Sequence, residues 1–502
     1  MKGCFLLQRK FAPIGHRVAV HLKAIGAVDE FCAYVGLRTA YDFLRAQKEI
    51  AYTELLLDED IEKKIKDETI DRAYLEMIER EYGLPALWPY LAIDRIFMQG
   101  QLLREYPHNQ PTLSHEEMLK ALQVYAREII VFLDQQKPDF LVVSVIGSLG
   151  SMMLWHIAKK KGIKTFFLDP SRIHNGLIAT ETYGIFSEVE RIFDRLQKTN
   201  EKSQEEENAK KFIAEFRASP APYSTELLPT KRLLTRHQML RFLTPKNFMR
   251  SLVWIITFYI RYVTKQTSDY TDNIPWIQLW NRIKRRARGL YGFKDLYQTP
   301  KTGEPYAFYA LHYEPEFATM MSGPLFATDQ IFLVKTIARS LPVGWKLYVK
   351  EHPSMFGYRT RAYYRELAKN PNVKIIDPTV LSFDLIQNAK LVCTINGTVG
   401  FEALLLKKPV ITFGDIFYNK LSTTKSCNRI ENLLQLIQEQ IKNHSHNETE
   451  LINFVAAIME DSVNVDLITL WEKEDQGENI KKDEGLKNLA RHIAHQLNLN
   501  IQ

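Results

Sequence analysis

The chain has 502 residues, of which 45% are hydrophobic, 25% charged and 11% aromatic. This length suits two or three domains of ordinary globular composition, which excludes a disordered, collagen-like or disulfide-framework protein. Its cysteines stand too far apart for paired zinc ligands and favour a reducing compartment. They are Cys4, Cys32, Cys393 and Cys427.

Targeting and membrane-spanning segments are not predicted. Residues 1–19 carry four cations and no continuous apolar core, unlike a signal peptide. The longest strongly apolar stretch, 251–260, has ten residues, whereas a membrane span needs about 20. We therefore expect a cytoplasmic protein.

The net charge of +7 is concentrated in one segment. Residues 231–294 hold 14 Lys or Arg and two acids, a local charge of +12 that leaves −5 for the rest. Cations flank an apolar, aromatic stretch at 248–263, which is typical of a helix in an anionic membrane interface. Residues 241–294 are therefore predicted to contact an anionic membrane surface; a buried interdomain helix is the alternative. Nucleic acid is not expected as a partner, because no nucleic-acid-binding fold accompanies the patch.

The first half of the chain contains a pattern of strand, helix and strand with short loops, which indicates a parallel sheet covered by helices. Before it, only a strand at 31–35 and a helical region at 58–82 can be assigned. The predicted elements are helix 117–135, strand 140–145, helix 152–161, strand 164–168, helix 202–217 and a Pro-containing linker at 219–222.

The second half repeats this alternation, which is typical of a doubly wound sheet. Two such halves joined by a linker place a cleft between them. The predicted strands are 306–311, 345–350, 373–376, 391–395 and 410–413, and residues 428–502 are expected to be mainly helical.

The ends of these strands carry residues suited to binding an anion, because ligands bind beyond the carboxyl ends of parallel strands. Lys350 and His352 follow one strand, and Pro353 keeps the His in an extended loop. These cations could meet a phosphate; a capped strand end with an incidental His is the alternative.

A second strand end reads Asn396-Gly397-Thr398-Val399-Gly400-Phe401-Glu402. The glycines let backbone N–H groups approach a ligand, and the positive end of the following helix favours phosphate. Thr398 is expected to cap that helix, and Glu402 could accept hydrogen bonds from sugar hydroxyls. A tight turn whose glycines serve packing is the alternative.

A third strand end supplies His312 and Glu314, and Arg359 and Arg361 follow the His-Pro loop. The arginines could donate to an anionic ligand. Solvated residues at a helix start are an equally good interpretation.

At 310–418 the chain resembles the C-terminal half of the bacterial capsule polysaccharide biosynthesis protein family. The shared pieces are Leu-His-Tyr-Glu-Pro-Glu at 311–316, Lys-Glu-His-Pro at 350–353, Thr-Val-Gly-Phe-Glu-Ala-Leu at 398–404 and Lys-Lys-Pro-Val at 407–410. This family is similar to GT-B glycosyltransferases, including those that use CMP-activated Kdo or sialic acid.

The resemblance implies an α/β, GT-B-like fold: two Rossmann-like domains facing a cleft, with added helices, and a nucleotide-sugar donor in the second domain. His352 would meet the donor phosphate, Thr398 and the amides after Gly397 would take phosphate oxygens, and Glu402 would face the ribose. Related CMP-sugar enzymes often have a hydroxyl pair where this chain has Asn396-Gly397-Thr398, so the donor nucleotide stays open.

GT-B enzymes typically take their general base from the first domain. Asp169 and Glu181 are candidates here, and Arg172 could hold an anionic acceptor or a donor carboxylate. A strand-end cap for Asp169 and a surface carboxylate for Glu181 are the alternatives. Ser148, in the 147–150 turn, is a further acceptor-side candidate.

These predictions divide the chain into an acceptor-side domain (1–225), a basic linker and membrane-contact segment (226–300), a nucleotide-sugar domain (301–430) and a C-terminal helical region (431–502). No metal or other cofactor is expected, since GT-B catalysis commonly needs none. The acids at 58–60 mimic a metal motif of another glycosyltransferase class, but they lie at a predicted helix start, where acids are common.

The predicted function is transfer of a sugar from a nucleotide-sugar donor to a growing or lipid-linked surface or capsular polysaccharide, and a CMP-Kdo-like donor is one option. The protein would act as a peripheral enzyme on the inner face of the cytoplasmic membrane. Two alternatives stay open: a nucleotide-sugar epimerase or hydrolase on the same fold, and a non-catalytic assembly protein recruited to the membrane.

Overall fold

The computed structural model describes residues 1–8, 11–83, 86–94, 97, 113–199, 202–223, 240, 244–264, 275–314, 316–475 and 483–499. The strands are β1 (Lys2–Leu7), β2 (Glu30–Val35), β3 (Tyr52–Leu57), β4 (Phe140–Val143), β5 (Lys164–Pro170), β6 (Gly176–Thr180), β7 (Tyr306–Ala310), β8 (Lys346–Lys350), β9 (Val373–Ile376), β10 (Leu391–Thr394), β11 (Val410–Thr412), β12 (Thr424–Ser426) and β13 (Val463–Asn464).

Helices connect and cover these strands. They are α1 (Phe11–Ala24), α2 (Arg38–Arg45), α3 (Asp58–Lys64), α4 (Arg72–Glu81), α5 (Trp88–Ala92), α6 (His115–Gln136), α7 (Leu149–Lys160), α8 (Ser187–Thr199), α9 (Glu206–Ala218), α10 (Pro245–Val263), α11 (Pro275–Tyr291), α12 (Phe317–Met320), α13 (Gln330–Ser340), α14 (Arg361–Ala368), α15 (Ser382–Asn388), α16 (Thr398–Leu405), α17 (Leu433–Asn443), α18 (Glu448–Asp461), α19 (Leu467–Asp475) and α20 (Glu484–Gln496).

The first layer is a seven-stranded sheet with the order β13-β6-β5-β4-β1-β2-β3. Strands β1 to β5 are parallel to one another. β6 pairs with β5 in antiparallel orientation, and β13 pairs with β6 in the same way at the edge of the sheet. β1 and β4 are continuous buried apolar runs, as expected for parallel strands covered on both faces. The last described helix, α20, packs on α1 in this layer through Leu489 and Ile493.

The second layer is a six-stranded parallel sheet with the order β12-β11-β10-β7-β8-β9. Short helices alternate with its strands, and two apolar clusters fill its faces. The predicted fold class, a GT-B-like α/β architecture with two Rossmann-like layers and added helices, is confirmed by these two sheets.

Between the layers in sequence, α10 and α11 form a helical hairpin. Phe258 of α10 is buried, and the Arg282 guanidinium of α11 lies 3.9 Å from the ring centroid of Trp254. α11 is attached to the second layer through Tyr358, which accepts hydrogen bonds from Arg285 to its hydroxyl (3.0 Å) and from Arg288 to its carbonyl (2.8 Å). Among the described helices, none is both long and apolar enough to cross a bilayer.

Candidate functional site

A cavity of about 300 Å³ lies beyond the ends of β7, β8 and β10, which are neighbours in the second sheet. We call it the donor cavity. Eight residues predicted for donor binding line it: His312, Lys350, His352, Pro353, Asn396, Gly397, Thr398 and Glu402. Since the carboxyl ends of parallel strands meet at one edge of a sheet, segments distant in sequence converge here.

The turn from β10 into α16 forms one wall of the donor cavity. The Gly397 N–H donates to Thr394 Oγ1 (3.0 Å), and the Gly397 carbonyl accepts from the Tyr418 hydroxyl (2.6 Å). A Cβ at position 397 would lie only 2.9 Å from Thr394 Oγ1, which explains the glycine. Thr398 does not cap the helix as expected: Gly397 is the N-cap residue and no side chain caps it. The Gly400 N–H donates to the Gly397 carbonyl (3.1 Å), so the backbone N–H groups of Thr398 and Val399 are the ones at this helix start that suit an anion.

His312 supports this turn from β7. Its Nε2 lies 3.1 Å from Thr394 Oγ1, and its backbone N–H donates to Gln330 Oε1 (2.7 Å). Burial, with the nearby positive charge of Arg359, lowers the pKa of His312 to about 4. At neutral pH the imidazole is therefore uncharged, so it contributes hydrogen bonds rather than charge.

Lys350 and Glu402 place two titratable groups on the donor cavity. The Lys350 ammonium donates to Ser382 Oγ (2.8 Å), and burial lowers its pKa to about 8. Burial raises the pKa of Glu402 to about 7, although the nearby charge of Lys350 opposes this. Both groups thus change charge close to neutral pH, which is a frequent property of functional sites.

His352 lies in the loop after β8 with a defined orientation. Its Nδ1 accepts the Ser354 N–H (3.2 Å), and its ring lies against Tyr313 at a centroid distance of 5.6 Å. Because Nδ1 is an acceptor, a neutral imidazole carries its proton on Nε2. His352 can therefore donate a hydrogen bond to an oxygen ligand.

Glu314 and Arg361 do not line the donor cavity. Glu314 is buried and accepts from Arg359 (2.9 Å), which has no exposed surface and also pairs with Glu351. Arg361 donates to the Gly292 carbonyl (2.9 Å) and pairs with Asp295. The sequence suggested that Arg359 and Arg361 could donate to an anionic ligand. In the structure, both arginines instead form ion pairs with carboxylates of the protein.

Gly400 serves packing rather than ligand approach. A Cβ at this position would lie 2.3 Å from the Tyr418 hydroxyl oxygen. The glycine therefore allows Tyr418 to reach the Gly397 carbonyl.

A second cavity, of about 330 Å³, adjoins the donor cavity and shares Tyr223, Thr398 and Glu402 with it. Arg172 and His174 line it from the first half of the chain, and both have positive φ angles (68° and 46°). Such backbone strain is common at functional sites. The two cavities together form the predicted cleft between the halves.

Asp169 is connected to this cleft by its contact with Arg172, which lines the second cavity. Its carboxylate pairs with the Arg172 guanidinium (3.0 Å) and accepts the Gly184 N–H (3.1 Å). Burial opposes the charged form of Arg172, but Asp169, together with Tyr223 and Tyr183, more than offsets this effect and raises the pKa of Arg172. This geometry favours a role for Asp169 in positioning Arg172.

Glu181 and Ser148 lie apart from the donor cavity. Glu181 is exposed and lines a different cavity, of about 450 Å³, together with Asp461 and His492. Ser148 is the N-cap of α7, where it accepts the Ser151 N–H (3.3 Å).

Sequence reasoning missed several lining residues. Tyr223 lines both cavities, and the Arg172 guanidinium lies 5.3 Å from its ring centroid. Ser382 and Tyr313 also line the donor cavity. Of these residues, only Tyr313 could have been identified from the sequence, because it lies within the family motif at 311–316. Ser382 and Tyr223 lie outside any such motif.

In the described part of the chain, no three His, Cys, Asp or Glu residues are grouped as metal ligands would be. The prediction that no metal is needed stays a prediction.

The family model for capsule polysaccharide biosynthesis proteins matches residues 323–451. Protein FixF of Sinorhizobium fredii is 46% identical over 71 residues, which are 14% of this chain and 16% of that protein. The capsule polysaccharide modification protein LipA of Neisseria meningitidis serogroup B is 33% identical over 72 residues, or 14% of this chain and 10% of LipA. The match therefore spans a small part of these relatives.

Among solved structures, KpsC of Thermosulfurimonas dismutans, a beta Kdo 2,7 transferase, is 16% identical with a TM-score of 0.35, covering 74% of this chain and 87% of that one. The UDP-GlcNAc 2-epimerase of Neisseria meningitidis, bound to UDP-GlcNAc, is 12% identical with a TM-score of 0.25, covering 92% and 98%. The motif resemblance to capsule polysaccharide biosynthesis proteins, predicted for residues 310–418, is thus supported by the family model over residues 323–451.

Proposed function

We propose that the protein is a GT-B-type glycosyltransferase that moves a sugar from a nucleotide-sugar donor to a growing or lipid-linked surface polysaccharide. The observation that carries this proposal is the donor cavity, where the N-terminus of α16 opens beside Lys350 and His352. The family description, and LipA's name as a capsule polysaccharide modification protein, support the polysaccharide as acceptor class. A CMP-Kdo-like donor is part of the proposal through the resemblance of the motifs.

In the proposed reaction, an acceptor hydroxyl oxygen attacks the anomeric carbon of the donor sugar. The bond from that carbon to the phosphate oxygen breaks, and the nucleotide leaves with the electron pair. The amides that begin α16, the Lys350 ammonium and the His352 Nε2–H would stabilise charge on the leaving phosphate.

A base must accept the proton of the acceptor hydroxyl. Of the two predicted bases, Asp169 is nearer to the cleft through its partner Arg172, while Glu181 lines a separate cavity. Glu402 is a third candidate, since it lines both parts of the cleft and its pKa is about 7.

The proposal also includes the predicted location: a peripheral protein on the inner face of the cytoplasmic membrane, with residues 241–294 against an anionic membrane surface. At that membrane surface, the protein would encounter a lipid-linked acceptor. Residues 241–243 and 265–274 lie outside the described residues.

Titration calorimetry with CMP, UDP, GDP and their sugars tests the donor site. We expect one nucleotide class to bind, and His352→Ala to weaken binding about tenfold or more, because a hydrogen bond to a charged group contributes roughly 1.5–3 kcal/mol. His352→Asn keeps an acceptor for the Ser354 N–H, so it should weaken binding without disturbing the loop. The exposed His495, at the separate cavity, provides the control His495→Ala.

Absence of binding by every nucleotide at millimolar concentration would contradict the transferase assignment and favour an assembly protein. Conversion of a nucleotide sugar without any acceptor would instead favour an epimerase or hydrolase.

A further inference from the structure

The α10–α11 hairpin exposes a continuous apolar stripe on α10. Met249, Val253, Ile256, Ile260 and Val263 recur every three or four residues and are each 50–60% exposed. This spacing places them on one helical face. An exposed apolar surface of this kind marks an interaction site.

α11 carries a matching stripe. Trp276, Trp280 and Ile283 follow the same spacing and are 55%, 59% and 47% exposed. Tryptophan is the residue that most favours the boundary between lipid headgroups and acyl chains.

Other faces of both helices already have contacts within the protein. α10 contacts α11 through Trp254, and its Phe258 is buried. α11 contacts the second layer through Arg285 and Arg288. Trp276 also contacts Tyr262 of α10 at a ring-centroid distance of 5.7 Å, but it is still 55% exposed. These internal contacts therefore leave about half or more of each stripe side chain exposed.

Charge indicates which partner covers the stripes. Residues 244–264 and 275–294 contain nine Lys or Arg and no Asp or Glu. A symmetric contact with a second copy would set cations against cations, which is unfavourable. Anionic headgroups complement this charge, and each cation near the membrane surface adds to the attraction.

We propose that α10 and α11 form a bilayer-docking hairpin whose two apolar stripes are buried at the headgroup–acyl boundary of an anionic membrane. Burial of the stripes, rather than charge attraction alone, holds the protein there, since removing apolar side chains from water is favourable. This inference rests on the membrane part of the proposed function and names the side chains that carry it.

The docking also orients the cleft. α11 is fixed to Tyr358, which lies six residues after His352 in the loop that borders the donor cavity. A bilayer-bound hairpin therefore holds the donor cavity at a fixed position relative to the membrane.

Vesicle flotation with phosphatidylcholine, with and without phosphatidylglycerol, tests the inference at 0.1 M and 1 M KCl. The wild-type chain should bind the anionic vesicles and keep a measurable part of that binding at 1 M salt, where surface charges are screened. The triple variant Val253→Ser, Ile256→Ser, Ile260→Ser should bind at least tenfold more weakly. Leu325→Ser with Val343→Ser removes apolar side chains elsewhere that are even more exposed, and this variant should bind like wild type.

Equal binding by the triple variant and wild type would overturn the inference, as would complete loss of wild-type binding at 1 M salt, which indicates adsorption by charge only. A wild-type dimer that becomes monomeric in the triple variant without vesicles would show that a second copy covers the stripes. The triple variant's unfolding midpoint and nucleotide affinity control for folding. A wild-type chain that binds a nucleotide but no vesicles would contradict this inference alone, whereas one that binds vesicles but no nucleotide would contradict only the donor site.

Discussion

Arg359 shows how a cation in a functional motif can serve the fold. Its guanidinium has no exposed surface and bonds to Glu314, Glu351 and the His312 carbonyl. Those partners come from two separate strand-end loops, and Glu351 also accepts from the Tyr364 hydroxyl (2.6 Å). The network fixes the loops that carry His312 and His352.

Arg359→Ala should lower the free energy of unfolding by about 3–5 kcal/mol, because it leaves two carboxylates buried without a counter-charge. Arg361→Ala is the matched control: its partner Asp295 is largely exposed, and such pairs contribute at most about 1 kcal/mol. Urea unfolding of both variants measures the difference. Equal losses would contradict the ion-pair role assigned to Arg359.

Donor affinity should fall as the pH rises from 6 to 9. Glu402, with a pKa raised to about 7, becomes anionic in this range, and Lys350, with a pKa lowered to about 8, loses its charge. Both changes disfavour a phosphate. Calorimetry with a nucleotide sugar, whose phosphates keep a constant charge here, should show a decrease of about tenfold or more.

Glu402→Gln should remove the lower of the two transitions and move the Lys350 transition below pH 8, because the charge of Glu402 raises the pKa of Lys350. A flat profile for the wild-type protein, or one that rises with pH, would show that these groups do not face the phosphate.

At the scale of elements, the β10–α16 turn depends on the close approach of the Tyr418 hydroxyl to Gly400. Gly400→Ala would place a methyl group 2.3 Å from the Tyr418 hydroxyl oxygen and so disturb its bond to the Gly397 carbonyl. We expect a loss of about 1–3 kcal/mol in the free energy of unfolding, together with weaker nucleotide binding.

Gly147→Ala serves as the control, since no atom lies within 4 Å of a Cβ there. Thermal unfolding and calorimetry of the two variants would refute the packing argument if they behaved alike.

Five of the six strands of the second layer could be predicted from the sequence because they are short apolar runs between turn residues; β9 lies at 373–376, as predicted. The polar strand β12 was not predicted. The first layer was harder to predict from the sequence. β1 and β3 were not predicted, and neither was β6, a five-residue strand after a turn. The region 58–82, predicted as helical throughout, is interrupted between α3 and α4. Such short segments are stabilised by neighbours distant in sequence, which a local pattern cannot show.

The donor cavity was predictable for a related reason: residues at the ends of parallel strands must converge, so His312, Lys350 and Gly397 could be grouped without a structure. The roles of Glu314 and Arg361 could not. Charge and spacing do not reveal whether an ion pair forms inside the protein or with a ligand.

At the scale of the whole molecule, the C-terminal segment completes the first layer. β13 pairs with β6, and Ile493 of α20 is buried against α1. Ile493→Ala should therefore destabilise the first layer by about 2–5 kcal/mol. Hydrogen exchange should show lost protection in β1 to β5, with β7 to β11 less affected. A uniform loss across both sheets would mean that the layers unfold as one unit.

This return of the chain has a consequence for its synthesis. Every strand of the second sheet lies between β6 and β13 in sequence, so that sheet is an uninterrupted stretch inserted into the first. On the ribosome, where a chain emerges from its N-terminus, residues 306–461 are complete before β13 and α20 leave the exit tunnel. The first layer is thus finished only after the second.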